Sequence, residues 1–115
     1  MSEQSEVLIG SPLTSVEFVH DYIQLRFDGP TLTVNAPFRV LVRSGTFDKG
    51  ATGFRDALCE LIERVVRRSS TVPEQQFTIE FDDDSKLVVS LRPEDQVSPE
   101  AAILDQGSGQ VCVWG

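Results

Sequence analysis

Metal and redox chemistry have little to work with in this chain. Its 115 residues include two cysteines, one histidine, one tyrosine, one tryptophan and one methionine. A zinc site needs about four side-chain or water ligands, and a single His with two Cys falls short without help. Cys59 and Cys112 are far apart in the chain with no disulfide framework around them, which predicts two reduced, largely buried thiols. Bases are also scarce: 10 Lys and Arg against 18 Asp and Glu, a net charge of −8. That balance argues against nucleic acid and anionic membranes as partners. No apolar run approaches the length of a membrane span. The first residues, MSEQSEVLIG, are acidic and polar and do not read as a secretory signal, so the expected location is the cytoplasm. No cofactor fingerprint is present, and no cofactor or metal is assigned.

Apolar residues make up 40% of the chain and charged residues 24%, ordinary values for one globular domain of this length. The strongest periodicity lies in GFRDALCELIERVVRR, Gly53 to Arg68. Phe54, Ala57, Leu58, Leu61, Ile62 and Val65 share one helical face, and this predicts a central amphipathic helix over 52–68. Thr52 is its expected N-cap. Glu60–Arg64 and Glu63–Arg67 have the spacing of favourable helical ion pairs, worth about 0.3 kcal/mol each. The β-branched run from Val65 to Val72 competes with this reading. It places the start of a second β-unit, 65–91, inside the helix end, with the switch near Arg64.

Elsewhere the period is two. Residues 1–6 read as a disordered tail, and Val7 to Gly10 as the end of a helical turn capped by Gly10. A first β-unit spans 7–43. Val16 and Phe18 alternate with polar residues; Ile23, Leu25 and Phe27 do so in the opposite phase, so a turn falls at His20–Asp21. Asp28-Gly29-Pro30 is a hairpin turn, followed by Leu32 and Val34, then Phe38, Val40 and Val42. Ser44 to Ala51 reads as a polar loop. In the second unit Phe77, Ile79 and Phe81 are followed by an Asp82–Ser85 turn and by Leu87, Val89 and Leu91. Ser98-Pro99-Glu100 has the pattern of a helix start, giving a short helix over 98–104. The stretch 110–115 is the final strand.

Ile23 to Val34 and Phe77 to Val89 share a pattern: apolar, x, apolar, x, Phe, Asp, turn, Leu, x, Val. Upstream, Leu8-Ile9-Gly10 matches Leu61-Ile62-Glu63. The echo predicts an internal duplication with a pseudo-twofold axis, although any two amphipathic hairpins look alike. The expected fold is therefore α+β: a mostly antiparallel sheet or small open barrel built from two similar β-units and packed on one central amphipathic helix.

Phe27-Asp28-Gly29 with Leu32, Arg55 to Cys59 with Leu61-Ile62, Phe81-Asp82 with Leu87, and Pro93-Glu94-Asp95 with Pro99-Glu100-Ala101 together resemble a family of small bacterial proteins of unknown function. That family is associated with toxin–immunity neighbourhoods. The resemblance covers most of the chain and implies no active site. Where the family favours glycine, this chain has Glu63.

Several constellations suggest chemistry and fall short of it. His20-Asp21-Tyr22 would put neighbouring side chains on opposite faces of a strand. Ser108, in Gly-Ser-Gly, lacks a nucleophile-elbow context. Asp82-Asp83-Asp84-Ser85 is too short for a calcium-binding EF-hand loop and lacks its glycine and distal glutamate. Gly50-Ala51-Thr52-Gly53 precedes a helix, but without the lysine and spacing of a phosphate loop. Arg64, Arg67 and Arg68 read as a feature of the helix C-terminus.

Charge distribution is more informative. Residues 74–105 hold nine acids and two bases, −7 of the total −8. This suggests either simple solubility or a docking face for a basic protein. The functional reading is a non-enzymatic protein-binding module, with an immunity-type inhibitor as one form, and with Asp82, Asp83, Asp84, Glu94 and Asp95 as partner-binding residues. Two alternatives stay open. One is a small-molecule-binding protein or enzyme with a cleft near Tyr22 and Trp114. The other is a structural module that forms a homodimer through an edge strand such as Phe38 to Arg43.

Overall fold

A computed structural model describes residues 4–20, 22–95, 100–106 and 111–114. A 3-10 turn, Gln4–Leu8, leads into β1 (Leu13–Phe18), β2 (Ile23–Phe27), β3 (Thr31–Val34), β4 (Phe38–Val42) and β5 (Gly45–Asp48). A helix, α1 (Phe54–Cys59), is followed by β6 (Val66–Val72), β7 (Gln76–Phe81) and β8 (Lys86–Ser90). A 3-10 turn (Pro93–Asp95), β9 (Ala102–Asp105) and β10 (Val111–Trp114) complete the chain. There are two five-stranded sheets, ordered β1-β2-β3-β9-β10 and β5-β4-β8-β7-β6, and every neighbouring pair is antiparallel.

The architecture is mainly β, with two sheets and no barrel, and this overturns the α+β expectation. The long central helix is absent. α1 has six residues and stops at Cys59, and residues 60–63 close tight turns in which Leu61 and Ile62 donate to Leu58 and Cys59. The reason is competition. Val66 to Val72 gains a ladder with β7, interrupted only at Arg67, and β-branched residues pack well on such a pleated surface. Apolar spacing does not distinguish the two states here: Phe54, Ala57, Leu58 and Leu61 are buried all the same. Thr52 is not the cap either; Gly53 holds the N-cap position at φ +90° with no side-chain cap bond.

Further expectations change with the topology. Gln4–Leu8 is structured, with Leu8 fully buried, so the tail over 1–6 is too long; residues 1–3 lie outside the described residues. The loop from Ser44 to Ala51 contains β5. The helix expected over 98–104 gives way at Ala102–Asp105 to β9, where Leu104 lies opposite Leu32 and Ala102 opposite Val34. Ser98 and Pro99 lie outside the described residues. The strand Phe38–Val42 is interior, paired to β5 on one side and β8 on the other, so it offers no edge for a homodimer.

The two halves of the chain adopt matching geometry and exchange their last hairpins. Strands β1-β2-β3 correspond to β6-β7-β8, and β4-β5 to β9-β10. Each sheet takes three strands from one half and the final hairpin from the other. The correspondence reaches individual bonds. Gly10 N–H donates to Val66 O and Glu63 N–H to Leu13 O; Val66 N–H donates to Ser11 O and Leu13 N–H to Arg64 O. Pro12 and Val65 form an antiparallel bridge where the halves meet. The β1–β2 and β6–β7 ladders slip at the same place, between Leu13 and Ser15 and between Val66 and Arg68. Leu25, Leu32, Val40, Ile79, Leu87 and Leu104, from both sheets, belong to one buried core.

Gly10 has φ +88° and its counterpart Glu63 has φ +81°. A left-handed backbone costs a non-glycine residue about 1 kcal/mol or more. Glu63 is exposed, so its side chain supplies no packing to offset this. Glu63→Gly is therefore expected to stabilise the fold by up to about 1 kcal/mol, and Gly10→Ala to destabilise it. Urea unfolding of both variants checks the pair, and a loss of stability in Glu63→Gly would contradict the assignment.

Candidate functional site

The five acidic residues expected to bind a partner do not form one patch. Asp82, Asp83 and Asp84 sit on the β7–β8 turn, while Glu94 and Asp95 sit in the 3-10 turn beyond the other end of β8. A five-residue strand separates the groups by about 16 Å.

The first group is largely occupied by the chain itself. Asp84 adopts φ +70°, and Ser85 N–H donates to Asp83 Oδ1 at 3.1 Å, which closes the turn. Arg64 pairs with Asp83 at 3.3 Å. Arg67 binds Asp84 at 2.6 Å and also Glu80, which Arg68 approaches at 4.0 Å. The bulge in β6 frees Arg67 from the regular ladder. These arginines thus serve the β7–β8 hairpin; the helical pairs Glu60–Arg64 and Glu63–Arg67 do not form, because α1 has ended. Carboxylates tied up in this way do not form a calcium loop. Among the described residues no group of three or more His, Cys, Asp or Glu side chains is placed to hold a metal ion.

Hydrogen bonds from Arg67 hold the carboxyls of Glu80 and Asp84 below their ordinary pKa, and raise that of the Arg67 guanidinium in turn. For the two acids, the stabilisation is complete above the ordinary carboxylate range of about 4 and is lost as pH falls through the lowered folded values. Arg67 stays protonated throughout this window, so protonation of the two carboxyls alone sets where the shared bonds are lost. Arg67→Gln should therefore flatten the fall in stability on acidification. Chemical denaturation at a series of acidic pH values checks this, and an unchanged slope would show that Arg67 does not set it.

In the second group, Asp95 accepts from Ser90 Oγ at 2.6 Å, which also orders the exit from β8. Glu94 and Asp82 are exposed, and neither carries an ion pair among the described residues. These are the two acids of the five whose charge remains available.

Tyr22 and Trp114 are not brought together. Tyr22 exchanges backbone bonds with Val19 between β1 and β2, while Trp114 lies on β10 at the far edge of the same sheet. The Trp114 ring stacks on Phe77, with centroids 4.4 Å apart, and its Nε1–H donates to Thr71 Oγ1 at 3.2 Å. Asp21 and Ser108 lie outside the described residues, and His20 is exposed at a bend. Cys59 is exposed and Cys112 half-buried, so burial of both thiols is corrected; they form no disulfide.

A cleft that sequence reasoning missed opens between the β1–β2 turn and the start of α1. Its volume is about 470 Å³, and Phe18, Ile23, Lys49, Phe54, Arg55 and Asp56 line it. The Arg55 guanidinium lies 5.0 Å from the centre of the Phe18 ring. No linear motif marks the cleft, because its walls come from β1, β2 and the β5–α1 connection.

The fold and these surfaces define a duplicated antiparallel β domain with exchanged hairpins. No family model, curated protein or solved structure matches the chain. Among the described residues, no helix is long and apolar enough to cross a membrane.

Proposed function

We propose that this chain is a non-enzymatic protein-binding module that presents acidic turns to a basic protein, in the manner of an immunity-type inhibitor acting in the cytoplasm. The observation that carries the reading is the excess of exposed acid borne on turns of a paired β scaffold. Glu74, Asp82, Asp83, Asp84 and Glu94 are all exposed, and they join or follow strands that are hydrogen-bonded on both sides or closed into hairpins. Complementary charge of this kind accelerates encounter and filters partners. Internal pairing of Asp83 and Asp84 shifts the weight to Asp82 and Glu94. The resemblance to proteins of toxin–immunity neighbourhoods agrees with this use.

The test screens the proteins encoded beside this gene for a basic one that binds the chain, and measures its affinity by calorimetry. Asp82→Asn combined with Glu94→Gln is expected to weaken binding by about tenfold, or about 1.4 kcal/mol. The difference should shrink at high salt, where exposed charges are screened. Equal affinity for the double variant and the parent at low salt would end the proposal. A small-molecule-binding reading is favoured separately by the cleft beside Lys49.

A further inference from the structure

We infer that the outer edge of β10 is the pairing surface for a second copy of this chain, joined across a twofold axis into one continuous sheet with five strands from each copy. The two sheets end in four edge strands, β1, β10, β5 and β6. An unpaired edge recruits further strands unless bulges, charges or covering segments guard it. Three of the four are guarded. β1 has a bulge between Leu13 and Ser15 and the Glu17–Arg26 ion pair, and Arg55 of α1 lies over its Phe18. β6 has a bulge at Arg67, and its Val66 already accepts from Gly10 and donates to Ser11. β5 ends on Asp48, which is paired with Arg39.

β10 has none of these devices, and among the described residues no strand pairs with its outer edge. Its register with β9 runs unbroken from Val111 to Trp114, and Val-Cys-Val-Trp contains no charge and no proline. Val111 and Val113 are each 54% exposed. The pairing of Val40 with Phe47 corresponds to that of Leu104 with Cys112. Thr46, Phe47, Asp48 and Lys49 therefore match Val111, Cys112, Val113 and Trp114. The outward pair Arg39–Asp48 in one half is Ile103–Val113 in the other. At the same place in the fold, one edge is closed by charge and the other is left apolar.

Backbone phase sets how a second copy fits. Phe27 N–H donates to Pro30 O, so alternation along the ladders makes Leu25–Leu32, Thr33–Ile103 and Leu104–Cys112 mutually bonded pairs. The N–H and C=O groups of Val111 and Val113 then point away from β9, towards the open edge. With a twofold axis at Cys112, Val111 of each copy meets Val113 of the other, and each such pair exchanges two hydrogen bonds. Ile103, Val113 and Val111 of both copies line up as one apolar strip. Asp105, opposite Val111, stays at least about 14 Å from its mate, three strand spacings away, which is beyond the screening length at physiological salt. Each chain has one such edge, so pairing uses both and closes at two copies. A four-residue edge falls short of the roughly 1,000 Å² of a stable interface. The dimer is therefore reversible, with a Kd of about 100 µM. This edge shares no residue with the acidic turns, so each proposal can fail without the other.

Sedimentation equilibrium of the whole chain, from about tenfold below that Kd to about tenfold above it, should show a monomer passing into a dimer. The amides of Val111 and Val113 should gain protection from hydrogen exchange in step with it. Added salt should strengthen the dimer, because two chains of charge −8 then repel less; binding of a basic protein to the acidic turns moves the other way. Val113→Asp copies Asp48 at an exposed position and should weaken the dimer by about tenfold or more, with little change in melting temperature. Val111→Lys should do the same from the other exposed valine. The inference is overturned if the chain stays monomeric at the highest concentration, if both variants dimerise as the parent does, or if the two valine amides gain protection only when a basic protein is added.

Discussion

Leu61→Asp is expected to abolish cooperative folding. Leu61 is fully buried in the turn after α1, in a core shared by both sheets. An aspartate there would place a carboxylate among apolar side chains with no base to pair it, a cost of several kcal/mol or a shift to the neutral acid. Either outcome consumes much of the 5–15 kcal/mol typical of a domain. The control is its counterpart Leu8, also fully buried. Leu8→Ala and Leu61→Ala should each cost about 2–5 kcal/mol, and the two values should be comparable because the two sites share their backbone bonding. Circular dichroism during urea unfolding reads all three variants. A cooperative transition for Leu61→Asp near that of the parent would remove Leu61 from the core.

Trp114→Ala should cost about 3–5 kcal/mol, the usual range for truncating a large buried aromatic. Three contributions disappear together: burial of the indole, its stack on Phe77, and its bond to Thr71. β10 is an edge strand whose ladder partner is β9, so this side chain is its tie to the other sheet. Trp114→Phe keeps a ring on Phe77 and gives up the donor; it should lose a smaller share. Thr71→Val isolates the hydrogen bond, at about 1 kcal/mol. Amide exchange along β10 should rise in Trp114→Ala before global unfolding. A cost below about 1 kcal/mol would mean that the indole does not close the end of the core.

Legibility varied with the range of the forces involved. The hairpins Ile23–Val34 and Phe77–Ser90 could be read from alternation and turn residues, because a two-residue period and an Asp-Gly or Asp-Asp turn are local signals. Gly10 was legible for the same reason, since its backbone needs φ above zero. The segment Arg64 to Val72 was not legible in the same way. Its apolar spacing continues that of a helix, and only pairing with β7 and with Ser11–Leu13 makes the extended form win. Ala102 to Asp105 misled similarly: a helix-start pattern precedes it, while its partner β3 lies far back in the chain. For the acidic residues, the count was visible and the pairing was not. Arg64 and Arg67 look like helical partners of Glu60 and Glu63, yet they turn to Asp83, Glu80 and Asp84 across the hairpin.

By itself, then, the order of residues determined the strands with strict alternation, their turns, the acidic excess and the likeness of the two halves. These depend on steric preferences and charge within a few residues. Tertiary structure alone decided where α1 stops, which half lends its last hairpin to which sheet, and that Trp114 lies on Phe77 while its counterpart position holds the exposed Lys49. Those outcomes turn on contacts between distant segments, where burial of shared apolar surface outweighs local propensity.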